Sequence, residues 1–246
     1  MQTVLQIAAE AARQTQLAQS VVSHNLANAS TTAFKADLYQ AESLYVLGGD
    51  TASGATARVR GHGIDYSPGN IQFTGRDLDV AITTDGWMKV VTEDGTQGLS
   101  RRGDLRVDVN GQLIDAQGNA MMGEGGPITL PPFSQMTIAS DGTISIVPLG
   151  EPPTTVAVID RLMLVNPPTA DLRKGPNGLY DVDNIDNLDA DANVQLSVGA
   201  LETSNVNPIT AMVEMIELAR SFESHVQTMK SSDELDTSSA SLMRLE

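Results

Sequence analysis

The side chains able to do chemistry are few and scattered. His24, His62 and His225 lie far apart in sequence, with no metal-ligating spacing, and each reads as a satisfied or solvated imidazole. There is no cysteine, which removes disulfides, thiolate metal sites and thiol nucleophiles. A Gly-x-Ser-x-Gly elbow is absent, because Gly98-Leu99-Ser100 runs into Arg101-Arg102. Gly61-x-Gly63 lacks the third glycine and the strand-to-helix setting of a dinucleotide loop. Asp189-x-Asp191-x-Asn193 matches three ligand positions of a calcium loop, but Val194 sits at the glycine turn and Ala200 at the final bidentate position. The run Asp181, Asp183, Asp186, Asp189, Asp191 is therefore expected to be an acidic surface loop. Carboxylate pairs for glycoside hydrolysis exist among 31 acids, yet one Trp and four Tyr supply few sugar platforms. Trp87, beside Asp85-Gly86, reads as core. The expectation is no enzyme, no catalytic or metal site, no cofactor and no small-molecule substrate. A secreted β-sandwich carbohydrate-active enzyme and an adhesin or scaffold remain as alternatives from other classes.

Composition narrows the partners. With 246 residues the chain makes one large domain or two small ones. Its 15 basic residues against 31 acidic ones give a net charge of −16. That balance opposes nucleic acid, whose phosphates need a basic face, and anionic membrane surfaces. No run of 18 apolar residues exists, so no membrane-spanning segment is expected. The start lacks the basic opening and continuous apolar stretch of a cleaved secretory signal.

The elements follow from periodicity. Residues 1–34 read as an N-terminal helix: Met1–Asn28 has no Gly or Pro, and Val4, Ile7, Ala8, Ala11, Ala18, Val21, Val22 and Leu26 recur mostly three or four apart. It should end within Asn25–Ser30, whose Asn and Ser side chains compete for backbone hydrogen bonds. Residues 35–74, rich in Gly, form an extended connector with a strand or two. Residues 75–200 read as a β-rich body of antiparallel hairpins. Apolar residues alternate at Leu78, Val80, Ile82 and at Leu105, Val107, Val109, and Asp85-Gly86, Asp94-Gly95, Asn110-Gly111 and Asp141-Gly142 supply turns that need positive φ. Residues 201–246 hold the C-terminal helix, with Asn207 as cap and Pro208 at its first position. Ile209, Met212, Val213, Ile216, Ala219, Phe222, Val226 and Met229 then follow at helical spacing, and the Ser/Asp-rich tail from Ser231 extends the helix when a partner holds it. The fold class is α+β, an all-β centre bracketed by two helices that pair as a coiled coil, with Gln14 and Glu223 interrupting strict heptads.

Three blocks carry a resemblance. Val21-Val22-Ser23-His24-Asn25-Leu26-Ala27-Asn28, followed by Thr31-x-Ala33-Phe34, is similar to the N-terminal signature of bacterial flagellar basal-body rod and hook proteins. Leu201-Glu202-x-Ser204-Asn205-Val206-Asn207, with Met212-x-x-Met215-Ile216, resembles the second signature. Between them lie Thr74-Gly75-Arg76-x-Leu78-Asp79-x-Ala81-Ile82, Asp85-Gly86-Trp87 and Ser100-Arg101-Arg102-Gly103-Asp104. Ala219-Arg220-Ser221-Phe222-Glu223 looks like the proximal-rod form, where distal-rod and hook members carry Tyr; another rod or hook component is the alternative within the family. Ala33 stands where the family has Gly, which argues against a left-handed backbone at that corner.

The resemblance implies a structural rod protein that polymerises through its terminal helices into the axial drive shaft. Its implied partners are copies of itself, other rod proteins and the flagellar type III export apparatus, which would take it to the periplasmic rod without a cleaved signal peptide. Both ends are expected to gain order in that helical stack, since ordering long helices against one neighbour returns too little burial.

Overall fold

A computed structural model describes residues 2–45 and 55–243, with side chains described outside 2–4, 40–62, 236 and 238–243. Its two compact units are built from residues 1–30, 35–67 and 205–246, and from residues 31–34 and 68–204.

The first unit holds two helices and a hairpin. Helix α1 spans Gln2–Ala27, as its Ala- and Gln-rich composition without Gly or Pro favours. Strands β1 (Asp37–Tyr45) and β2 (Ala55–Ile64) pair antiparallel, with a bulge between Tyr39 and Ala41. Helix α2 spans Pro208–Met243 and packs against α1. Its start is built as read: Asn207 Oδ1 accepts from the backbone N–H groups of Ile209 and Thr210 at 3.0 and 3.3 Å. The tail from Ser231 continues the helix as far as Met243. Thr228 and Thr237 return their hydroxyl hydrogen bonds to the carbonyls of Ser224 and Asp233, four residues back. Those polar groups therefore do not draw the backbone out of the helix. Leu245 and the glycines Gly48, Gly49 and Gly54 lie outside the described residues, and His62 and Leu242 outside the described side chains.

The second unit is β. Its first strands are β3 (Ile71–Phe73), β4 (Val80–Ile82), β5 (Trp87–Val91), β6 (Gln97–Ser100), β7 (Arg106–Val107) and β8 (Leu113–Ile114). Next come β9 (Ala120–Gly123), β10 (Gly126–Pro127), β11 (Phe133–Ile138), β12 (Thr143–Pro148), β13 (Ala157–Arg161) and β14 (Leu164–Val165). The last are β15 (Arg173–Lys174), β16 (Tyr180–Asp181), β17 (Leu196–Val198) and β18 (Ala200–Glu202). One sheet runs β15-β16-β6-β5-β9-β8-β7, with β10 on β9 and β14 on β5. A second runs β11-β12-β13, and β17 pairs with β4 and β18 with β3. Every strand pairing among the described residues is antiparallel, so the α+β reading with an antiparallel body holds. Three of the four turn dipeptides close hairpins: Asp94-Gly95 joins β5 to β6, Asn110-Gly111 joins β7 to β8, and Asp141-Gly142 joins β11 to β12. Asp85-Gly86 does not, since β4 pairs with β17 instead of β5. At Gly86 a Cβ would lie 2.6 Å from Val194, so close packing explains that glycine.

The core is aliphatic and methionine-rich: Met88, Val90, Leu105, Leu113, Met121, Ile138, Ile144, Ile146 and Leu162 are fully buried or nearly so. Trp87 is buried as read and packs against Tyr180 in a tilted pair, with ring centroids 4.4 Å apart and planes at 48°. One buried ion pair ties the unit together. Arg101 Nε donates to Glu202 Oε2 at 2.9 Å, and its Nη1 and Nη2 reach the carbonyls of Gly86, Ile82 and Thr84. Glu202 Oε1 accepts from the Gly69 N–H at 2.9 Å. Such a pair is costly to break singly, because the surviving charge stays buried. Glu202→Leu should therefore lower unfolding free energy by about 3–5 kcal/mol in urea titration. Asp183→Asn, at the exposed Arg173–Asp183 pair, should change it by no more than about 1 kcal/mol.

Candidate functional site

The C-terminal end of α1 and the entry to α2 are held by two asparagines. Asn25, in the last turn of α1, donates from Nδ2 to the Asp37 carbonyl at 2.8 Å, and its Oδ1 accepts from the Asp37 N–H at 2.8 Å. This is the reciprocal pairing of an antiparallel ladder, made by one side chain. His24 Nδ1 lies 2.7 Å from the Asp37 carboxylate. Asn205 does the same work from the other end of the chain. Its Oδ1 accepts from the Ala36 N–H at 2.8 Å, and its Nδ2 donates to the carbonyls of Asp65 at 2.9 Å and Ser67 at 3.2 Å. The Asp65 N–H donates to the Ala36 carbonyl at 2.8 Å, and the buried Lys35 ammonium donates to the Ser67 carbonyl at 2.8 Å. Two amides 180 positions apart therefore grip the consecutive residues Ala36 and Asp37, at the base of the β1–β2 hairpin.

The remaining signature residues have local duties. Val21 and Val22 are buried on α1, Leu26 is half-buried, and Ala27, the last helical residue, is exposed. Asn28 donates to the His24 carbonyl twice, from its backbone N–H at 3.2 Å and from Nδ2 at 2.9 Å, which secures the helix end. Val206 is half-buried beside the Asn207 cap. In the second unit the Phe34 N–H donates to the Thr31 carbonyl at 3.3 Å, and the Phe34 ring lies 4.3 Å under the Lys174 ammonium. Leu201 faces Gln72 across β18 and β3, and Ser204 is buried. Ala33 corrects an expectation: it adopts φ of 55°, so the corner is left-handed without a glycine. Its N–H donates to the Glu202 carbonyl at 2.8 Å, a hydrogen bond that holds the strained residue in place.

Helix α2 has two apolar rows. Ala211, Met215, Leu218, Phe222, His225, Met229 and Ser232 alternate four and three apart, and each is buried or half-buried. Ile209, Met212, Val213 and Ile216 lie roughly half a turn away at 100° per residue and are 50–72% exposed. Met212 and Ile216 thus separate from Met215 and Phe222, although one signature contains them all. Glu223 is exposed and off the covered row, which corrects its reading as a seam interruption. Gln14 is buried on α1, donating to Glu10 Oε1 at 2.7 Å and lying 3.4 Å from the Tyr39 hydroxyl. Two of the polar groups weighed for chemistry, His225 and Asp191, have neighbours within the chain. Ser221 Oγ lies 3.3 Å from His225 Nε2, and Asp191 Oδ1 accepts from the Asn193 N–H at 2.9 Å. Among the described residues no group of three His, Cys, Asp or Glu is arranged to hold a metal, and no helix is long and apolar enough to cross a membrane.

Known proteins match along the chain. A family profile described as "Flagella basal body rod protein" covers residues 5–35, and one described as "Flagellar basal body rod FlgEFG protein C-terminal" covers 197–242. A third, "Flagellar hook protein FlgE/F/G D1 domain", covers 81–146. The flagellar basal-body rod protein FlgF of Salmonella typhimurium is 41% identical over 91% of each chain. The chain belongs to the flagellar basal-body rod protein family. FlgF of Escherichia coli K12 is 39% identical over 91% of each chain, and the rod protein FlgG of Bacillus subtilis is 31% identical over 87% of this chain and 89% of its own. The terminal profiles of the rod family contain both clamp asparagines.

Reading the residues alone missed the partners of those clamps. Ala36, Asp37 and Asp65 meet the two asparagines through their backbones, and Ser67 through its carbonyl and its hydroxyl; backbone groups leave no mark in side-chain type. The Arg101–Glu202 pair had a signal, since each residue lies in a resemblance block. Asn205→Asp keeps the shape of the side chain but places an oxygen against the carbonyls of Asp65 and Ser67. It should cost about 1–3 kcal/mol in thermal unfolding. At position 33, Ala33→Val should destabilise by about 2 kcal/mol or more and Ala33→Gly by less than about 1 kcal/mol, because β-branched residues tolerate positive φ worst.

Proposed function

We propose that this chain is a structural component of the proximal rod of the flagellar basal body, and that it polymerises through its terminal helices into the axial drive shaft. Membership of the rod family and the names of the FlgF relatives support the place. The observation that carries the mechanism is the exposed row Ile209, Met212, Val213, Ile216 on the side of α2 away from its covered row. Burying one such side chain returns roughly 1.5–3 kcal/mol, so a subunit joined along this row gains substantial affinity without new polar contacts.

In this reading α1 and α2 pair as a short coiled coil, the inner helical domain drawn from residues 1–34 and 201–246. The four-three spacing of the covered α2 positions supports that pairing. Residues 35–74 link it to the β-rich body of residues 75–200. The signature residues divide by role. Val21, Val22, Asn25, Leu26, Asn28, Asn205, Val206 and Asn207 shape the helix ends; Met215 and Phe222 make the intrachain seam; Met212 and Ile216 meet the neighbour. Ala27 closes α1, and Thr31, Phe34, Leu201 and Ser204 fix the corner beside Ala33. The neighbours are copies of this chain and other rod proteins, joined by heterologous contacts that stack helically without closing. Delivery to the periplasmic rod runs through the flagellar export apparatus. The role is structural, with no reaction attached.

Ile216→Glu tests the mechanism. The purified chain should melt within about 0.5 kcal/mol of wild type, since the side chain already faces solvent. Cells carrying it should stop swimming, and their basal bodies should lack the chain. Normal incorporation of the Glu variant would overturn the assignment of this row to assembly.

A further inference from the structure

The side of α1 turned to solvent is almost without charge. At 100° per residue, Leu5, Ala9, Gln16, Ser20, Ser23 and Ala27 fall within about 60° of one another, and each is exposed. Arg13 and Leu17 are exposed along one flank of that sector. Among the described exposed side chains of α1, Arg13 alone carries a permanent charge. Its nearest carboxylate is engaged elsewhere: Glu10 Oε1 accepts from Gln14 Nε2 at 2.7 Å, while Arg13 Nη1 stands 3.9 Å from Glu10 Oε2. The Arg13 side chain is 72% exposed, and so loose a surface pair holds it weakly. The water-facing side of a long helix ordinarily carries charge on every turn.

The open side of α2 has the opposite character. Ile209, Met212, Val213 and Ile216 are followed on the same side by Arg220 and Glu223, and Glu217 lies on its edge; these last three are exposed. From residue 209 to 223 the acids Glu214, Glu217 and Glu223 face a single base, Arg220. One chain therefore carries an apolar helix side bordered by carboxylates and an uncharged helix side marked by one guanidinium.

We infer that the open row of α2 in one copy of this chain seats on the outer side of α1 in the next copy, and that Arg13 sets the register by pairing with a glutamate beside the row. The inference rests on the assembly proposed above and names the surface that the row meets. The occupant is a second copy because the charges of the two sides are complementary: the acids of α2 answer Arg13, and no described exposed carboxylate on α1 opposes them. Such complementarity fixes partner and register more than it adds affinity. The two sides differ, so each copy receives with one and enters with the other, and the contact repeats without closing. Arg13 lies on one flank of its face; Glu217 lies on the same flank of the α2 row, and Glu223 on the other. Facing helices bring like flanks together when antiparallel and opposite flanks together when parallel, so Arg13 meets Glu217 in the first case and Glu223 in the second.

Charge reversal tests this in cells expressing the full-length chain in place of wild type, with the amount of chain in purified basal bodies as the readout. Arg13→Glu should reduce incorporation about tenfold or more, because like charges then meet. The purified Arg13→Glu chain should melt as wild type does, since the side chain already faces solvent. Adding Glu217→Arg or Glu223→Arg to Arg13→Glu should restore incorporation, and which of them does so reports the helix orientation. Arg13→Glu on one chain and the same glutamate reversal on a second, co-expressed chain should also incorporate together, because a reversed α1 can then meet a reversed α2 on another copy. A lesion in delivery caused by Arg13→Glu would not be repaired from α2. Full incorporation of Arg13→Glu, rescue by neither glutamate reversal, or rescue within one chain but not between two chains would each overturn the inference. Failure of the underlying assembly reading would look different, because Ile216→Glu would then incorporate normally.

Discussion

A helix with apolar rows on opposite sides cannot be satisfied by one neighbour. That constraint governs α2. The row from Ala211 to Ser232 is covered or half-covered inside the chain, while Ile209, Met212, Val213 and Ile216 stand in solvent. Among the described residues the first unit offers α2 the helix α1 and one hairpin, and α1 places small groups such as Ala8, Ala12 and Ala18 at buried positions. Small residues allow close approach but bury little area, so the pair is weakly held by itself. In the proposed assembly this is an advantage: helices that stay incomplete until neighbours arrive do not commit to a wrong partner early.

The asparagines decide where the helices begin and end. Asn25 and Asn205 substitute for missing strand partners at Ala36 and Asp37, and so convert sequence ends into a spatial junction. A side-chain amide suits the task because it donates and accepts at once, as a peptide group does. Aspartate, serine or alanine at either position supplies at most half of that pattern. In the β body Arg101 and Glu202 act comparably, joining Gly86, Ile82, Thr84 and Gly69 through one buried pair. The clamp is neutral and partly exposed, whereas the ion pair is charged and buried, so their losses differ in size.

Much of this was legible in the sequence. Both helices followed from spacing and composition, and the Asn207-Pro208 start from capping rules. Asp94-Gly95, Asn110-Gly111 and Asp141-Gly142 announced hairpins. Asp85-Gly86 misled, because its glycine answers to the packing of Val194 rather than to a hairpin. The bend at Ala33 was hidden for a related reason. Local preference opposes positive φ at alanine, and the tertiary hydrogen bond to Glu202 overrides it. Apolar spacing along α2 showed that the helix would be amphipathic, but periodicity cannot separate a covered row from an open one when both are apolar. The backbone partners of the clamps left no trace at all, since peptide groups are the same in every residue.

Amide hydrogen exchange on the free, full-length chain tests most directly whether neighbours complete the helices. The account predicts that amides in α1 and α2 exchange markedly faster than those of β5, β9 and β12, whose side chains form the core. In intact basal bodies the same helices should become slow. Helices already as protected in the isolated chain as those strands would contradict the account, because nothing would remain for assembly to complete.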